Sequence, residues 1–516
     1  MVDSVSFPPS IGGSGKTYTN DANPQTGMFN GGHRINFFPI LSDTLAAAGY
    51  VSRYAQAIDG AKANADRAEN ARGYVEAVAD AYKVNILEQF KNKATLVSDF
   101  TNHDYRLYDG LRTNKVADTD LWTIQRATTG SYVDATRKIR TAAIDEPRYT
   151  YNPATGKAGG VLCESNKTNL ILYSESLNQG SKTTSGVTVE SDYAVAPDGN
   201  PTADFLKEDS LDLDAKKVRC LFPAVAGEEY CMSFFVKKGG RQNVMVLLNT
   251  DFENRSVINF NLSTGFINKF DQDLSGLLSY DMESYNEGWF RCHVSATALT
   301  TTNTARIEIL IKDSDNLDVG PYQGDGVSGL ILWGIQAEKG RKPSSYIKTT
   351  TATVTRSEDS FTKSDVDAQI SQNNFSFLAS FVPKMNVGVL GTTEVFYKLF
   401  EFNDGTLNNR IRGSFRGKSG YSRALYLVIT KDGNSDSVGF TTLEYAQEYK
   451  LGASFLNDNL NLFINGTQIL STSVPSGIPD NLSQLSLSNG EIIEYKNFIL
   501  LPSAVTAAEL ETLTAI

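Results

Sequence analysis

The chain has 516 residues, of which 41% are apolar and 21% are charged, and its formal net charge is −11 at pH 7. This length allows several domains with their own cores, whereas the acidic balance argues against non-specific binding of nucleic acid. No apolar run approaches the roughly 18 residues of a membrane span, and Met1–Pro9 lacks the pattern of a secretory signal, so we expect assembly in a cytoplasm without membrane insertion.

The first 41 residues are rich in Gly, Pro, Asn and Ser, and four phenylalanines are spaced among them at Phe7, Phe29, Phe37 and Phe38. Such a segment cannot bury enough apolar surface to fold by itself. We therefore expect residues 1–41 to form an extended arm that docks on another surface.

A helical pattern follows, in which small apolar residues recur at seven-residue spacing from Ala47 to about Tyr82. The apolar stripe is narrow and flanked by charged residues, so it cannot form a core without identical partner helices. We predict an α-helical coiled-coil stalk over residues 42–97. Its seam is predicted to contain Val51, Tyr54, Ile58, Ala61, Ala65, Ala68, Val75, Ala79 and Tyr82.

Beyond the stalk, turn residues separate short alternating runs, and this pattern predicts a mainly β body. We expect a connector of short strands at 98–160, a jelly-roll β-sandwich at 161–357 and a second β-sandwich at 358–516, with a polar linker over 355–374. A hairpin is predicted at Val257–Ile267, where Gly265 can adopt positive φ in the turn. The main predicted strands are Tyr230–Val236, Val244–Leu248, Val257–Asn261, Arg306–Ile311 and Gly329–Gly334, followed by Phe375–Phe381, Val395–Asn403, Arg410–Phe415, Ala424–Thr430, Glu448–Ser454, Asn459–Ile464 and Glu491–Leu500.

The four cysteines have neither CxxC spacing nor enough nearby histidines to form a zinc site. We expect buried free thiols at Cys163, Cys220, Cys231 and Cys292. A disulfide between Cys220 and Cys231 on neighbouring strands is the alternative.

An acidic loop contains Asp313, Asp315 and Asp318, followed by Gly320 and Asp325. Carboxylate oxygens suit calcium, but the spacing of an EF-hand is absent. A solvated loop in which Asp and Gly supply turn geometry is the favoured interpretation. We therefore expect no cofactor and keep calcium as the alternative.

Patterns for covalent catalysis are sparse. The histidines His33, His103 and His293 lie in three different predicted regions, and no serine has a Gly-x-Ser-x-Gly context, which argues against acyl transfer. Glycoside hydrolysis needs only two carboxylates, and among 59 acidic residues such a pair stays open. We expect a protein that is not an enzyme, with glycoside hydrolysis as the alternative.

A polar loop from Asp404 to Arg410 is the best candidate for recognition. It combines a carboxylate, amides and a guanidinium group at a strand connection. We select Asp404, Asn408, Asn409 and Arg410 as candidate carbohydrate-binding residues. A hydrogen-bonded hairpin tip is an equally good interpretation of the same residues.

Several motifs together resemble bacteriophage tail fibre and receptor-binding proteins. The motifs that carry the resemblance are Arg126-Ala-Thr-Thr-Gly-Ser-Tyr-Val-Asp134, Ile139-Arg-Thr-Ala-Ala143, Glu146-Pro-Arg148, Gly160-Val-Leu-Cys-Glu-Ser165, Thr168-Asn-Leu-Ile-Leu-Tyr-Ser-Glu175, Gly288-Trp-Phe-Arg-Cys292, Gly324-Asp-Gly-Val-Ser-Gly329, Leu332-Trp-Gly-Ile-Gln-Ala-Glu338 and Ser344-Ser-Tyr-Ile-Lys348. In such proteins this block resembles a jelly roll of the carbohydrate-binding-module type. The last portion, with Asn403–Arg410 and Leu460–Gly466, is similar to concanavalin A-like or laminin G-like sandwiches.

The resemblance implies a homotrimeric fibre on a virion, assembled in the bacterial host. The arm would dock on tail or connector proteins, and the sandwiches would attach the particle to host surface polysaccharide or another receptor. Two other functions stay open: a tailspike that depolymerises polysaccharide, and a purely structural collar or head fibre. The motifs are structural, so the resemblance assigns no catalytic or binding residue.

Overall fold

The computed structural model describes residues 4–11, 13–23, 25, 27, 36, 39–50, 52, 64, 67, 88, 90–211, 213–249, 256–271, 277–384, 395–417, 424–444, 446–487 and 492–516. The chain divides into two compact units, Met1–Ile86 and Leu87–Ile516, which are described separately. The described residues are mainly β, as the sequence predicts. Among them, no helix has the length and apolar character needed to cross a membrane.

The first unit begins with a small antiparallel hairpin rather than a fully extended arm. Strands β1 (Ser4–Ser6) and β2 (Thr17–Thr19) pair, and a 3-10 turn lies between them at Pro9–Ile11. Asp43 ties this hairpin to the helix that follows, because its carboxylate accepts hydrogen bonds from the Ser14 backbone N–H at 2.9 Å and the Tyr18 hydroxyl at 3.0 Å.

The predicted stalk falls largely on residues that the structure does not describe. Residues 39–50 are helical, as are 52, 64, 67, 88, 90 and 91. All nine predicted seam residues, from Val51 to Tyr82, lie outside the described residues. The coiled coil and the trimer therefore stay predictions.

The second unit contains a large sandwich that we call the C-terminal sandwich. Its ten-stranded sheet has the order β33-β32-β31-β26-β35-β3-β4-β5, with β10 also paired to β35 and β9 paired to β10. These strands are β3 (Leu96–Asp99), β4 (Asp104–Tyr108), β5 (Thr113–Lys115), β9 (Tyr149–Tyr151), β10 (Ala158–Cys163), β26 (Asn374–Pro383), β31 (Tyr449–Leu456), β32 (Asn459–Ile464), β33 (Thr467–Ser473) and β35 (Ile493–Leu501).

The facing sheet has seven strands in the order β30-β29-β28-β27-β34-β25-β6. They are β6 (Thr123–Gln125), β25 (Ser360–Ser364), β27 (Val395–Asn403), β28 (Arg410–Gly417), β29 (Ala424–Lys431), β30 (Asn434–Thr442) and β34 (Gln484–Leu487). The two inner faces share one apolar core in which aromatic rings pack closely, for example Phe377 against Phe498 at 5.7 Å between centroids. Three short helices flank the sheets, at Asp118–Leu121, Val366–Ala368 and Ala507–Thr514.

Residues 167–356 form a second sandwich inserted into the first, which we call the inserted sandwich. Its two six-stranded sheets have the orders β12-β15-β22-β17-β18-β19 and β13-β14-β23-β16-β21-β20. The strands are β12 (Lys182–Ser185), β13 (Val187–Ala194), β14 (Ala203–Glu208), β15 (Lys217–Ala224), β16 (Glu229–Gly239), β17 (Asn243–Asn249), β18 (Ser256–Asn261), β19 (Ile267–Asp271), β20 (Leu277–Ser284), β21 (Trp289–Thr297), β22 (Thr302–Lys312) and β23 (Gly329–Lys339). A 3-10 turn at Asn286–Gly288 joins β20 to β21, and Gly265 has a φ of 76° in the predicted hairpin turn.

The alternation of buried and less buried residues along a strand explains how the core of the inserted sandwich forms. In β15, every second residue from Val218 to Ala224 is buried between the sheets. Strand β23 is instead almost continuously buried. The reason is a third layer: the hairpin of β7 (Gly130–Val133) and β8 (Ile139–Ala142) packs Val133 and Ile139 on the outer face, against Trp333.

Two predicted boundaries differ from the structure. The interval 98–160 was expected as a separate connector, but strands from this interval pair with β35 and β25 of the C-terminal sandwich. The expected linker at 355–374 contains β25, which lies between β34 and β6. The paired strands, β3 with β35 and β6 with β25, lie hundreds of residues apart in the sequence. Local patterns carry no information about such pairing.

The cysteine prediction is confirmed. Cys163, Cys220, Cys231 and Cys292 are all buried and all free thiols. Cys220 lies on β15 and Cys231 on β16, in opposite sheets of the inserted sandwich, so they are not neighbours across a ladder.

A buried ion cluster stands where the chain leaves the C-terminal sandwich and returns to it. Strands β11 (Lys167–Asn169) and β24 (Val354–Arg356) pair at this point. The cluster consists of Arg126, Arg148, Glu164, Arg356 and Asp359, whose side chains are each at most 2% exposed. Asp359 binds Arg126 at 2.9 Å and also pairs with Arg148. Glu164 binds Arg148 at 2.5 Å and Arg356 at 3.2 Å.

Backbone groups complete the cluster. The Glu164 N–H donates to Asp359 at 2.9 Å, and the Asp359 N–H donates to the Glu164 carbonyl oxygen at 2.9 Å. Ser345 donates to Glu164 from its backbone N–H at 2.8 Å and from its hydroxyl at 2.6 Å. Burial alone would raise the pKa of Glu164, but the charges of Arg356 and Arg148 and the bonds from Ser345 outweigh it and hold that pKa at about 2.

Replacing Asp359 by Asn should destabilise the second unit strongly. The change keeps the shape of the side chain but leaves three buried guanidinium groups against one carboxylate, which costs about 3–5 kcal/mol of unfolding free energy. Urea unfolding followed by tryptophan fluorescence measures the loss. The control is Glu190→Gln, which removes a solvent-exposed ion pair with Lys207 and should cost less than about 1 kcal/mol. Equal losses in the two variants would contradict the role of the cluster.

The same cluster predicts acid sensitivity. Because the folded-state pKa of Glu164 lies near 2 and the ordinary value is 4.5, its contribution to stability is complete above pH 4.5 and is lost as the pH falls towards 2. The unfolding free energy should fall in this window by up to about 1.4 kcal/mol per pH unit from this one group. In Glu164→Gln this part of the slope should be missing, and a slope unchanged from the wild type would count against the assignment.

Candidate functional site

The loop chosen from the sequence is the tip of the hairpin between β27 and β28. Asp404 accepts hydrogen bonds from the Thr406 backbone N–H at 2.8 Å and from the Asn409 side-chain amide at 2.9 Å. Asn409 in turn accepts from the Asp432 backbone N–H at 3.0 Å. These contacts hold the turn together and occupy the polar groups of Asp404 and Asn409.

The other two candidate residues, Asn408 and Arg410, flank Asn409 in the sequence. Asn408 is exposed, and its carbonyl oxygen accepts from the Gly433 backbone N–H at 3.1 Å. Arg410, on β28, lies 3.8 Å from Glu401 on the neighbouring strand β27. The structure thus brings the four residues together as a bonded hairpin tip, and their role in carbohydrate binding stays a prediction.

The acidic loop also bonds mainly within the protein. Asp315 accepts from the Asn261 amide at 2.7 Å, Asp318 accepts from the Gly320 N–H at 2.9 Å, and Asp325 accepts from the Ser328 N–H at 2.7 Å. Across the part of the chain that the structure describes, no three His, Cys, Asp or Glu side chains are grouped so that they could hold a metal ion.

A cleft of about 480 Å³ lies between the inserted sandwich and the C-terminal sandwich. One wall is the outer face of β20 and β21, and the other is formed by the end of β26 and by β35. Several of its lining residues belong to motifs described above, but most of its charged residues do not. We call this site the intersandwich cleft.

The first wall carries two cross-strand pairs of polar residues. Asp281 stands opposite His293, and Glu283 stands opposite Arg291. Side chains two positions apart on a strand share a face, so all four line the cleft. Two contacts hold Arg291 in place. Its guanidinium group lies 5.2 Å from the ring centre of Phe235 and donates a hydrogen bond to the Ser233 hydroxyl at 3.1 Å.

The second wall carries two ion pairs. Lys384, directly after β26, binds Glu494 of β35 at 3.2 Å. Lys496, two positions further along β35, pairs with Glu448. Each carboxylate on this wall therefore has a lysine partner.

Aromatic and hydroxyl groups complete the cleft. The rings of Tyr132 and Tyr151 are half-buried and lie along it, and Ser345 joins it to the buried ion cluster through Glu164. Tyr285 packs edge-on against Phe235 with 5.0 Å between ring centres. The cleft thus offers flat apolar surface beside hydrogen-bonding groups of both kinds.

The first wall differs from the second in that one of its carboxyl groups, that of Glu283, has no ion-pair partner among the described residues. Glu283 keeps contact with solvent and makes no hydrogen bond or ion pair with another described side chain. The surrounding walls nevertheless desolvate its carboxyl group, and this raises its pKa, with Lys384 and Arg291 opposing the rise and Glu494 adding to it. Burial lowers the pKa of His293 well below its ordinary value, so this residue is neutral. Its Nε2 lies 3.2 Å from the Ser279 hydroxyl.

A second cavity, also of about 480 Å³, lies on the other side of the β7–β8 hairpin. Two of its lining cations are paired: Lys348 binds Glu175 at 2.6 Å and Arg140 binds Asp134 at 2.8 Å. We prefer the intersandwich cleft as the candidate, because its lining includes the exposed carboxylates of Asp281 and Glu283, which form no ion pair with a described residue.

Sequence reasoning did not find the cleft residues. The signal was present: in β20 and β21, the runs Asp281-Met-Glu283 and Arg291-Cys-His293 place a charged or polar residue at every second position between apolar ones. This alternation indicates a polar outer face. That this face meets β35, about 200 residues later, is decided only by the insertion.

No family model and no curated protein matches the sequence. Solved structures with similar parts include domain 4 of AbnA, a GH43 extracellular arabinanase from Geobacillus stearothermophilus in complex with arabinotriose, which is 15% identical and covers 34% of this chain and 82% of that one, with a TM-score of 0.23.

Two further solved structures are also similar to part of this chain. Full-length tailspike protein 2 from Escherichia coli O157:H7 bacteriophage CAB120 is 12% identical over 30% of this chain and 23% of that one, with a TM-score of 0.25. CBM40 of the Ruminococcus gnavus IT-sialidase, bound to α2,3-sialyllactose, is 11% identical over 28% of this chain and 84% of that one, with a TM-score of 0.23. At scores this low, the likenesses carry no argument about this chain.

Proposed function

We propose that the protein is a bacteriophage attachment fibre that binds a host surface glycan in the intersandwich cleft. The observation that carries the proposal is the cleft itself, in which the solvent-accessible carboxylates of Asp281 and Glu283 lie beside tyrosine rings. The sequence motifs described above support the phage origin. On this proposal, residues 1–41 contact tail or connector proteins of the virion.

The chemistry of the cleft suits a sugar. Carboxylates accept hydrogen bonds from sugar hydroxyls, and the ammonium groups of Lys384 and Lys496 donate to hydroxyl or carbonyl oxygens. A tyrosine face such as that of Tyr132 offers apolar surface to the C–H side of a sugar ring. A volume of about 480 Å³ accommodates a short oligosaccharide segment.

Binding should be measured with the full-length protein on an array of purified bacterial capsular polysaccharides and O-polysaccharides. Tyr132→Ala should weaken binding about five- to tenfold by removing the ring from the cleft. Tyr193→Ala is the matched control, because this exposed tyrosine on β13 stacks on Phe205 outside the cleft.

Asp404→Ala distinguishes the two candidate sites. It should leave binding unchanged if the glycan lies in the cleft, and it should abolish binding if the hairpin tip is the site. Absence of any polysaccharide whose binding depends on Tyr132 would contradict the proposal.

We also propose that the fibre is a homotrimer joined by the predicted coiled coil. The helical residues at 39–50 support it, and the apolar seam supplies the contact. Sedimentation equilibrium should give a trimer for the full chain and a monomer for a chain that begins at Leu87, where the second unit starts. A monomeric full-length protein would refute this proposal, and a trimeric truncated chain would place the contact in the sandwiches.

A further inference from the structure

We propose that the second cavity is a further subsite that binds an uncharged sugar residue, and that one glycan chain crosses the exposed face of the β7–β8 hairpin to occupy both cavities. The inference rests on the glycan binding proposed above. It extends that binding to a longer segment of the same chain.

The two cavities adjoin each other at the β7–β8 hairpin. Ser131, Ile139 and Tyr346 line both of them. Tyr132 lines the intersandwich cleft, and Arg140, which stands directly opposite it on the ladder, lines the second cavity. Residues directly opposite each other in an antiparallel pair have Cβ atoms about 5 Å apart. Only the width of one strand pair therefore separates the side chains of the two sites.

The face of the hairpin that a glycan would cross is open to solvent. Tyr132 is half-buried and Arg140 is exposed. Val133 and Ile139 point to the opposite face and belong to the apolar cluster that contains Trp333. A sugar chain can therefore lie across Tyr132 and Arg140 without displacing a core residue.

Buried arginines fix the hairpin in place. Arg126 donates from its Nε to the Thr128 carbonyl oxygen at 2.9 Å and also donates to the Ala143 carbonyl oxygen. Arg148 donates to the Ser131 carbonyl oxygen at 3.0 Å. Both ends of the hairpin are thus tied to the buried ion cluster. A site that is already held in shape avoids the ordering cost of binding.

The cationic groups of the second cavity are already paired with carboxylates. Arg140 and Lys348 form the ion pairs described above, and Arg356 lies 3.2 Å from Glu164 within the buried ion cluster. An anionic sugar would have to compete with these pairs. The lining therefore favours an uncharged ligand.

The two carboxylates of the lining are also engaged. Glu175 is the partner of Lys348, and Asp198 accepts hydrogen bonds from the backbone N–H and the side-chain amide of Asn200 at 2.9 and 2.7 Å. Uncharged polar groups supply the contacts that suit sugar hydroxyls. The exposed ones are Thr129, Thr141, Asn200 and Thr355.

The test measures affinity against chain length. Fragments of increasing length are prepared from each polysaccharide that the full-length protein retains on the array, and their dissociation constants are measured by isothermal titration calorimetry. Fragments long enough to reach the second cavity should bind at least about tenfold more tightly than those that fill only the intersandwich cleft, because the second contact forms within a chain that is already bound.

Thr141→Trp should remove this gain. Thr141 is exposed on β8 and lines the second cavity, and a strand accepts an indole at an exposed position, where its bulk would fill the cavity. Short fragments should bind this variant as they bind the wild type. Thr184→Trp is the matched control, since Thr184 is exposed on β12 and lines neither cavity. Asn200→Ala should weaken only the long fragments, by about fivefold, through the loss of a hydrogen bond.

The salt dependence tests the class of sugar. The gain with length should change less than about threefold between about 0.1 M and about 1 M NaCl, because salt screens charges and leaves hydrogen bonds between uncharged groups intact. A larger fall would overturn the uncharged class. A wild type without any gain, or a gain that persists in both Thr141→Trp and Asn200→Ala, overturns the subsite while binding in the cleft stands. Failure of the wild type to retain any polysaccharide overturns the proposed function and the subsite with it.

Discussion

The second unit depends on a single cluster of buried charges. Three arginines and two carboxylates meet where the inserted sandwich joins the C-terminal one, and none is more than 2% exposed. Buried charges are tolerated only when each finds a partner, so the cluster specifies one arrangement of the strands that contribute to it. Its members come from both ends of the insertion: Glu164 lies just before it, Arg356 is its last residue and Asp359 follows it.

The cluster also determines the candidate site. Glu164 belongs to it and lines the intersandwich cleft, while Ser345 bonds to Glu164 and lines the same cleft. The position of the first wall, on β20 and β21, therefore depends on the same contacts that close the insertion. The charged residues of the first wall and Glu494 stand on strands β20, β21 and β35, which favours a fixed geometry for these side chains.

Local patterns predicted much of the strand content. Val395–Asn403 and Asn459–Ile464 were predicted with the bounds that the structure shows, because each has clear turn residues at its ends. The predicted hairpin around Gly265 and the buried thiols are confirmed as well. The short strands β3 and β6 were not assigned to a sandwich, since each is stable only beside partners from the far end of the chain.

The sequence by itself determined the class of fold and the strand-rich regions, and it placed Arg126, Arg148 and Glu164 within the motifs that carry the resemblance. Only the tertiary structure decided what those residues do. It also decided that one sandwich is inserted into the other and that residues of both sandwiches line one cleft. The physical reason is that periodicity reports which face of a strand is buried, whereas pairing between strands hundreds of residues apart depends on contacts that no local pattern encodes.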